Sequence, residues 1–237
     1  MEPVKAYKIA SFNPARAYGL KGCGAIGAGY LADVLILDDL AGASPRTVIK
    51  SGHVVDENWL AGFSYKTEDK RLLNTVRIGK LDENSFRFKR KEKNHVMELV
   101  EDQLLTIHRY ETVPGSGDRF VPDENYSKLA VVERQGKNGK VGVCPVKGYG
   151  IKNGAVATTV SHDSHNIIAV GDNDADILRA VQELEKIQGG YVIVSGGEVV
   201  DELPLRIGGL MSEENASDVQ RKTGEMVDKA RQMGVKK

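Results

Sequence analysis

The stretch from Ala155 to Leu203 constrains the fold more than any other part of the chain. It opens with the apolar run Ala155–Val160 and continues through a polar hexad, Ser161-His162-Asp163-Ser164-His165-Asn166, into a second apolar run, Ile167–Val170. Runs this short, bounded by turn residues, have the length of buried strands. Asp174–Lys186 then places Ile177, Leu178, Val181 and Leu184 three and four residues apart, the pattern of an amphipathic helix. Gly189-Gly190 ends that helix. Tyr191–Val194 and Glu198–Leu203 read as a hairpin across Ser195-Gly196-Gly197. Strands alternating with a helix indicate an α/β layer with a mixed sheet.

Upstream, Lys128–Glu133 and Lys140–Lys147 are strand-like and joined by the Gly136–Gly139 turn. Downstream, the pattern predicts a helix from about Asn215 to Met233, with Ser212 or Asn215 as its cap. Near the N-terminus, Asn13-Pro14 reads as a helix start and Gly19 as its stop. Ala32–Leu37 is a buried-type strand, and Thr47–Lys50 with His53–Val55 forms a hairpin across Ser51-Gly52. Residues 57 to 73 read as a connection in which Trp59 and Phe63 are candidate anchors. The basic run Lys89–Lys93 reads as a solvated turn.

Bulk properties exclude several function classes. Lys plus Arg equals Asp plus Glu at 33 each, so no net field steers nucleic acid or an anionic membrane. The two cysteines, Cys23 and Cys144, are far apart and outside any CxxC pair, which disfavours a zinc finger or redox dithiol. A reduced, cytoplasmic setting is the expectation. No apolar stretch approaches the roughly 20 residues of a membrane span, and the N-terminus lacks the basic and apolar regions of a signal peptide.

Two imidazoles, a carboxylate, two hydroxyls and an amide within six residues make the hexad the candidate functional segment. Three readings stand open. Were the hexad helical, His162 and His165 would share a face and offer two metal ligands. Alternatively, Asp163, Ser164 and Asn166 bond to backbone and cap a tight turn. In the third reading the hexad is a lid or wall beside an active site built elsewhere.

Other constellations fail on spacing. Asp172-Asn173-Asp174-Ala175-Asp176 lacks the glycine and distal glutamate of a calcium loop and reads as a capped helix start. Gly22–Gly29 lacks the Gly-Lys-Ser/Thr ending of a phosphate loop. Ser161 and Ser164 lie in no Gly-x-Ser-x-Gly elbow. Cys144, before Pro145, has no adjacent base and reads as an inert thiol.

Two segments carry a family resemblance. The first runs from Ala6-Tyr7-Lys8-Ile9-Ala10-Ser11-Phe12-Asn13-Pro14-Ala15 through Gly24–Asp38. It is similar to the stretch where amidohydrolases leave their catalytic barrel and return to a small β-sandwich. The second comprises Lys128–Arg134, Val146–Gly150, Gly154–Ala157, the hexad, Gly171–Asp174 and Pro204–Ser212. It resembles the C-terminal domain of adenine deaminases, with Gln135 standing where the resemblance would favour histidine. Residues 57 to 127 match more loosely.

The resemblance implies an α+β fold. Residues 1–60 would hold the barrel tail and sandwich strands, 61–95 a connection, and 96–237 the adenine deaminase C-terminal domain. The family's metal-binding barrel has an early His-x-His, which the five histidines here, His53, His95, His108, His162 and His165, do not contain. The expectation is a C-terminal portion without its catalytic half, inactive alone, binding no cofactor and contributing no metal ligand. Its parent would use manganese or iron to convert adenine and water to hypoxanthine and ammonia in purine salvage. The expected partners are the barrel or a neighbouring subunit in a homo-oligomer, with adenine as the parent's substrate. In that setting His162, Asp163, Ser164, His165 and Asn166 form the candidate loop near the active site. A stand-alone purine-binding or barrel-capping module is the alternative. Sandwich strands without their usual partners would present open apolar edges and self-associate or stay disordered.

Overall fold

The computed structural model describes residues 1–101 and 103–236, which divide into two compact units at Ser64/Tyr65. The first unit begins with helices α1 (Pro3–Ala10) and α2 (Phe12–Ala17). The second helix starts ahead of the expected Asn13-Pro14 signal, with Ser11 at the N-cap position and the proline in its first turn. That position suits proline because the amide it lacks has no intrahelical acceptor there.

Strands β1 (Val34–Leu37), β2 (Pro45–Lys50) and β3 (His53–Val54) form a three-stranded antiparallel sheet. The expected hairpin turn is present, and both Ser51 and Gly52 have positive φ. A short helix, α3 (Glu57–Ala61), is capped by Asp56, which accepts the Trp59 amide at 2.7 Å. The rings of Trp59 and Phe63 pack in a tilted pair, their centroids 4.3 Å apart. Among residues 1–64 only Ala15 is buried, so this unit has no hydrophobic core of its own.

The second unit contains β4 (Asn94–Leu99), β5 (Thr106–Glu111), β6 (Gly115–Ser116), β7 (Arg119–Phe120), β8 (Tyr126–Val132) and β9 (Val141–Lys147). It continues with β10 (Ala155–Thr158), β11 (Ile167–Gly171), α4 (Asp174–Ile187), β12 (Gly190–Ser195), β13 (Glu198–Pro204) and α5 (Ala216–Gln232). Eight strands form one mixed sheet in the order β13-β12-β10-β11-β8-β9-β4-β5. Every pair is antiparallel except β4 with β9. The expected α+β class is the observed one.

Amphipathic α4 packs Ile177, Ala180, Val181, Leu184 and Ile187 on one sheet face, against Ala130, Val132, Ala155, Ala157, Ala169, Val192 and Val194. Small residues on the strands let the helix approach closely, and its larger aliphatics fill the gap. Val76 and Phe86 complete this core from the segment before β4. A second cluster seats Met226 of α5 against Ile193, Leu203 and Leu205. The acidic turn is a helix start, as its spacing predicts. Asn173 accepts the Asp176 amide at 2.8 Å, and Asp176 reaches across to accept the Gly197 amide at 2.6 Å.

Candidate functional site, a clamped loop at one end of the sheet

The hexad is the connection between antiparallel strands β10 and β11, which pair from Ala155↔Gly171 to Thr158↔Ile168. It is a turn rather than a helix, which removes the arrangement with both imidazoles on one helical face. Backbone bonds close it: Ser161 donates to the Thr159 carbonyl at 3.1 Å, and His165 to the Ser161 carbonyl at 2.8 Å. Asn166 donates its amide to the Ser164 hydroxyl at 3.3 Å, a local side-chain bond of the turn type. His165 has a positive φ of 52°, uncommon for a residue with a Cβ.

Side chains in the loop separate into two environments. Ser161 is buried. His162 and Asp163 project into solvent at 92% and 86% side-chain exposure, and their imidazole Nδ1 and carboxylate pair with each other. Ser164 is exposed, and His165 and Asn166 are half-buried. The Nδ1 of His165 is shielded from solvent and has no hydrogen-bond partner. Such orphaned buried nitrogens are rare in folded proteins.

What holds the loop comes from elsewhere in the sequence. Immediately beyond β8, Arg134 is buried at 4% exposure. Its Nε donates to the His165 carbonyl, and its Nη2 donates to the Gly208 carbonyl at 3.0 Å. Both of these bonds are to backbone carbonyls rather than carboxylates, and burial lowers the guanidinium pKa from the usual value. Gln135 adds an Nε2 bond to the Ser164 carbonyl at 3.2 Å.

A threonine supports the turn on the far side. Thr159 donates its hydroxyl to the Gly209 carbonyl at 2.6 Å and accepts the Gly190 amide at 2.7 Å. Gly209 has a φ of +72°, which favours glycine, and a Cβ there would lie 2.4 Å from the Arg134 guanidinium and displace it. Arg134 and Thr159 were not singled out as site residues from the sequence. The available signal was a charged residue closing an apolar strand, but its partners lie 31 and 74 positions away.

The loop does not fit a metal centre. Among the described residues no group of three His, Cys, Asp or Glu side chains is disposed to hold a metal ion. His162 is engaged with Asp163, and the loop's second imidazole, that of His165, would bring its histidine ligands to two at most. The arrangement can present an exposed imidazole–carboxylate pair on a backbone held from behind. Cys144 is half-buried, and burial raises its thiol pKa, the opposite of what a nucleophile needs. Among the described residues, no helix is long and apolar enough to cross a membrane.

Comparison with known proteins agrees with both segments of resemblance. The adenine deaminase C-terminal domain family matches residues 103–237, and the amidohydrolase family matches residues 1–79. An adenine deaminase of Nitratidesulfovibrio vulgaris (strain DP4) is 40% identical over 230 residues, covering 96% of this chain and 40% of that protein. One from Desulfitobacterium hafniense (strain Y51) is 37% identical over 236 residues, covering 99% and 41% respectively. One from Petrotoga mobilis is 36% identical over 242 residues, covering 100% and 42%. The chain thus spans about 40% of the length of the curated relatives it matches. With its C-terminal half matched by that domain model and its whole length matched by these relatives, the chain belongs to the adenine deaminase C-terminal domain family.

Proposed function

We propose that this chain is the C-terminal portion of an adenine deaminase, a hydrolase converting adenine and water to hypoxanthine and ammonia in purine salvage. In this reading the catalytic barrel and its divalent metal, manganese or iron, lie outside these residues. The chain supplies architecture, contacts between subunits in a homo-oligomer, and one loop beside the active site. The setting is cytoplasmic.

One observation carries the loop assignment. Residues 161–166 expose the His162–Asp163 pair to solvent while the backbone beneath is fixed by a buried arginine. A turn needed only for chain reversal has no use for two histidines or a buried guanidinium. Deamination needs groups that hold a purine and move protons at its ring and amine. A fixed loop carrying an imidazole and a carboxylate can serve either purpose at the mouth of a neighbouring barrel.

The first unit supports the architectural role. Leu35, Ile36 and Val54 of its small sheet are exposed at 57%, 38% and 55%. Apolar strands this open are completed by packing against another element or chain.

The experiment is alanine replacement of His162, Asp163 and His165, singly, in the complete enzyme. Each loss should lower kcat/KM for adenine by about tenfold or more, in the range of general acid–base or positioning groups. Unchanged kcat and KM, with unchanged stability, would remove the loop from the active site.

A further inference from the structure

We propose that Arg134 is the positioning residue of the 161–166 loop, its guanidinium locking that loop to the Gly208–Gly209 turn. The inference rests on the reading of the loop as part of an adenine deaminase active site. It adds a buried residue that acts through the loop.

The geometry is specific to arginine. Two different nitrogens, Nε and Nη2, serve two carbonyls from segments more than 40 residues apart in sequence, those of His165 and Gly208. A planar fork spans both at once, whereas a lysine ammonium on the same path is a single point with different reach. The Arg134 backbone is itself anchored, its carbonyl accepting the Arg77 amide at 2.8 Å. Gly208 donates its amide to the Leu72 carbonyl at 2.7 Å, so the turn is held on both sides.

A cation buried to 4% exposure, with no ion-pair partner among the described residues, is costly, and carbonyl dipoles offset only part of that cost. A neutral side chain could fill the space more cheaply. The retained charge is explained if the loop must hold one conformation, because charge-assisted bonds are the stronger and more directional kind. The positive φ of His165 fits this account, since the Arg134 bond falls on that residue's own carbonyl. Arg134 thereby fixes the backbone from which the His165 imidazole projects.

The test uses Arg134→Lys and Arg134→Gln in the full chain and in the complete enzyme. Arg134→Lys retains the buried charge and at most one of the two bonds, so it probes the fork with little change in volume. Amide hydrogen exchange should accelerate by about tenfold or more at the hydrogen-bonded amides of His165, Asn166, Gly208 and Leu210, as loss of a charge-assisted bond requires. Amides of β11 and β12 should exchange as in the parent chain. In the complete enzyme kcat for adenine should fall in both variants, Lys less than Gln, with KM changing less than kcat.

Unchanged exchange in the loop overturns the clamp. Acceleration spread equally over the whole sheet overturns positioning in favour of a general stabilising role. If His165→Ala lowers kcat while Arg134→Lys and Arg134→Gln do not, the inference alone fails. If none of the three lowers kcat, the active-site reading beneath it fails.

Discussion

Lys128 of β8 and Asp174, the first residue of α4, form a buried ion pair that joins the sheet to the helix packed on it. Their side chains are 2% and 5% exposed, and Arg119 donates to the second oxygen of the same carboxylate at 2.6 Å. Burial pushes the Lys128 ammonium pKa down, and Asp174 works against that shift. Removing only the carboxylate leaves a buried cation without compensation. Asp174→Ala should therefore cost about 3–5 kcal/mol, whereas Lys128→Met, which leaves the carboxylate still paired with Arg119, should cost less. Urea unfolding of the two variants decides this, and equal losses would contradict it.

Glu133 gives the fold an acid-sensitive turn. Its carboxylate accepts the backbone amides of Gln135 at 2.6 Å, Lys137 at 3.1 Å, Asn138 at 3.1 Å and Gly139 at 3.0 Å. These bonds, that from Asn138 foremost, hold its pKa below the ordinary carboxylate value, and burial opposes them. A depressed folded-state pKa means the stabilisation is complete above the unfolded value of about 4.3 and fades as pH falls through the folded one. Glu133→Gln should lower stability at neutral pH by about 1–2 kcal/mol. The gap between variant and parent should narrow on acidification below the unfolded value. A gap independent of pH would rule out the carboxylate as its source.

Gly190 tests the close approach of two strands. It begins β12 with a φ of +133°, and a Cβ there would lie 1.9 Å from the Leu203 carbonyl oxygen. No rotamer relieves a clash with backbone. Gly190→Ala should destabilise the chain by more than about 3 kcal/mol, combining strain with a broken strand pair. Gly196→Ala is the control: φ there is also positive, but nothing lies within 4 Å of the added carbon. Gly190→Ala should have the lower thermal midpoint of the two, since it meets both a backbone clash and a φ that glycine alone adopts readily, and equal midpoints would sink the argument.

The 1–64 unit should make the isolated chain sticky. Its sheet exposes Leu35, Ile36 and Val54, and only Ala15 of its residues is buried. Light scattering across a concentration series should show self-association that Leu35→Lys together with Val54→Lys reduces. A concentration-independent monomer with protected amides over residues 30–56 would refute it.

Reading the chain in order exposes local chemistry but not distant partners. The α4 helix was legible because Ile177, Val181 and Leu184 repeat with the helical period. The β8–β9 and β12–β13 hairpins were legible because turn glycines separate apolar runs. The β4 and β5 strands were not, since His95, Glu98, His108 and Arg109 interrupt the apolar pattern. Their place depends on β9, whose parallel pairing with β4 at Met97↔Val146 spans a sequence gap no periodicity reveals. Val76 and Phe86 likewise enter the core from a segment that carries no strong period of its own.

The hexad shows the same division. Its residue types identified a candidate loop, because side chains that must be hydrated or bonded collect at turns. Its local bonds close the turn, but its anchoring was decided by tertiary contacts. Arg134 meets His165 and Gly208 only because the sheet brings the end of β8, the β10–β11 turn and the segment after β13 to one place. Local sequence determines which backbone a segment prefers, since sterics and side-chain period act over a few residues. Which buried donor finds which carbonyl is settled only when long-range burial closes the sheet, as satisfying such groups in the interior requires.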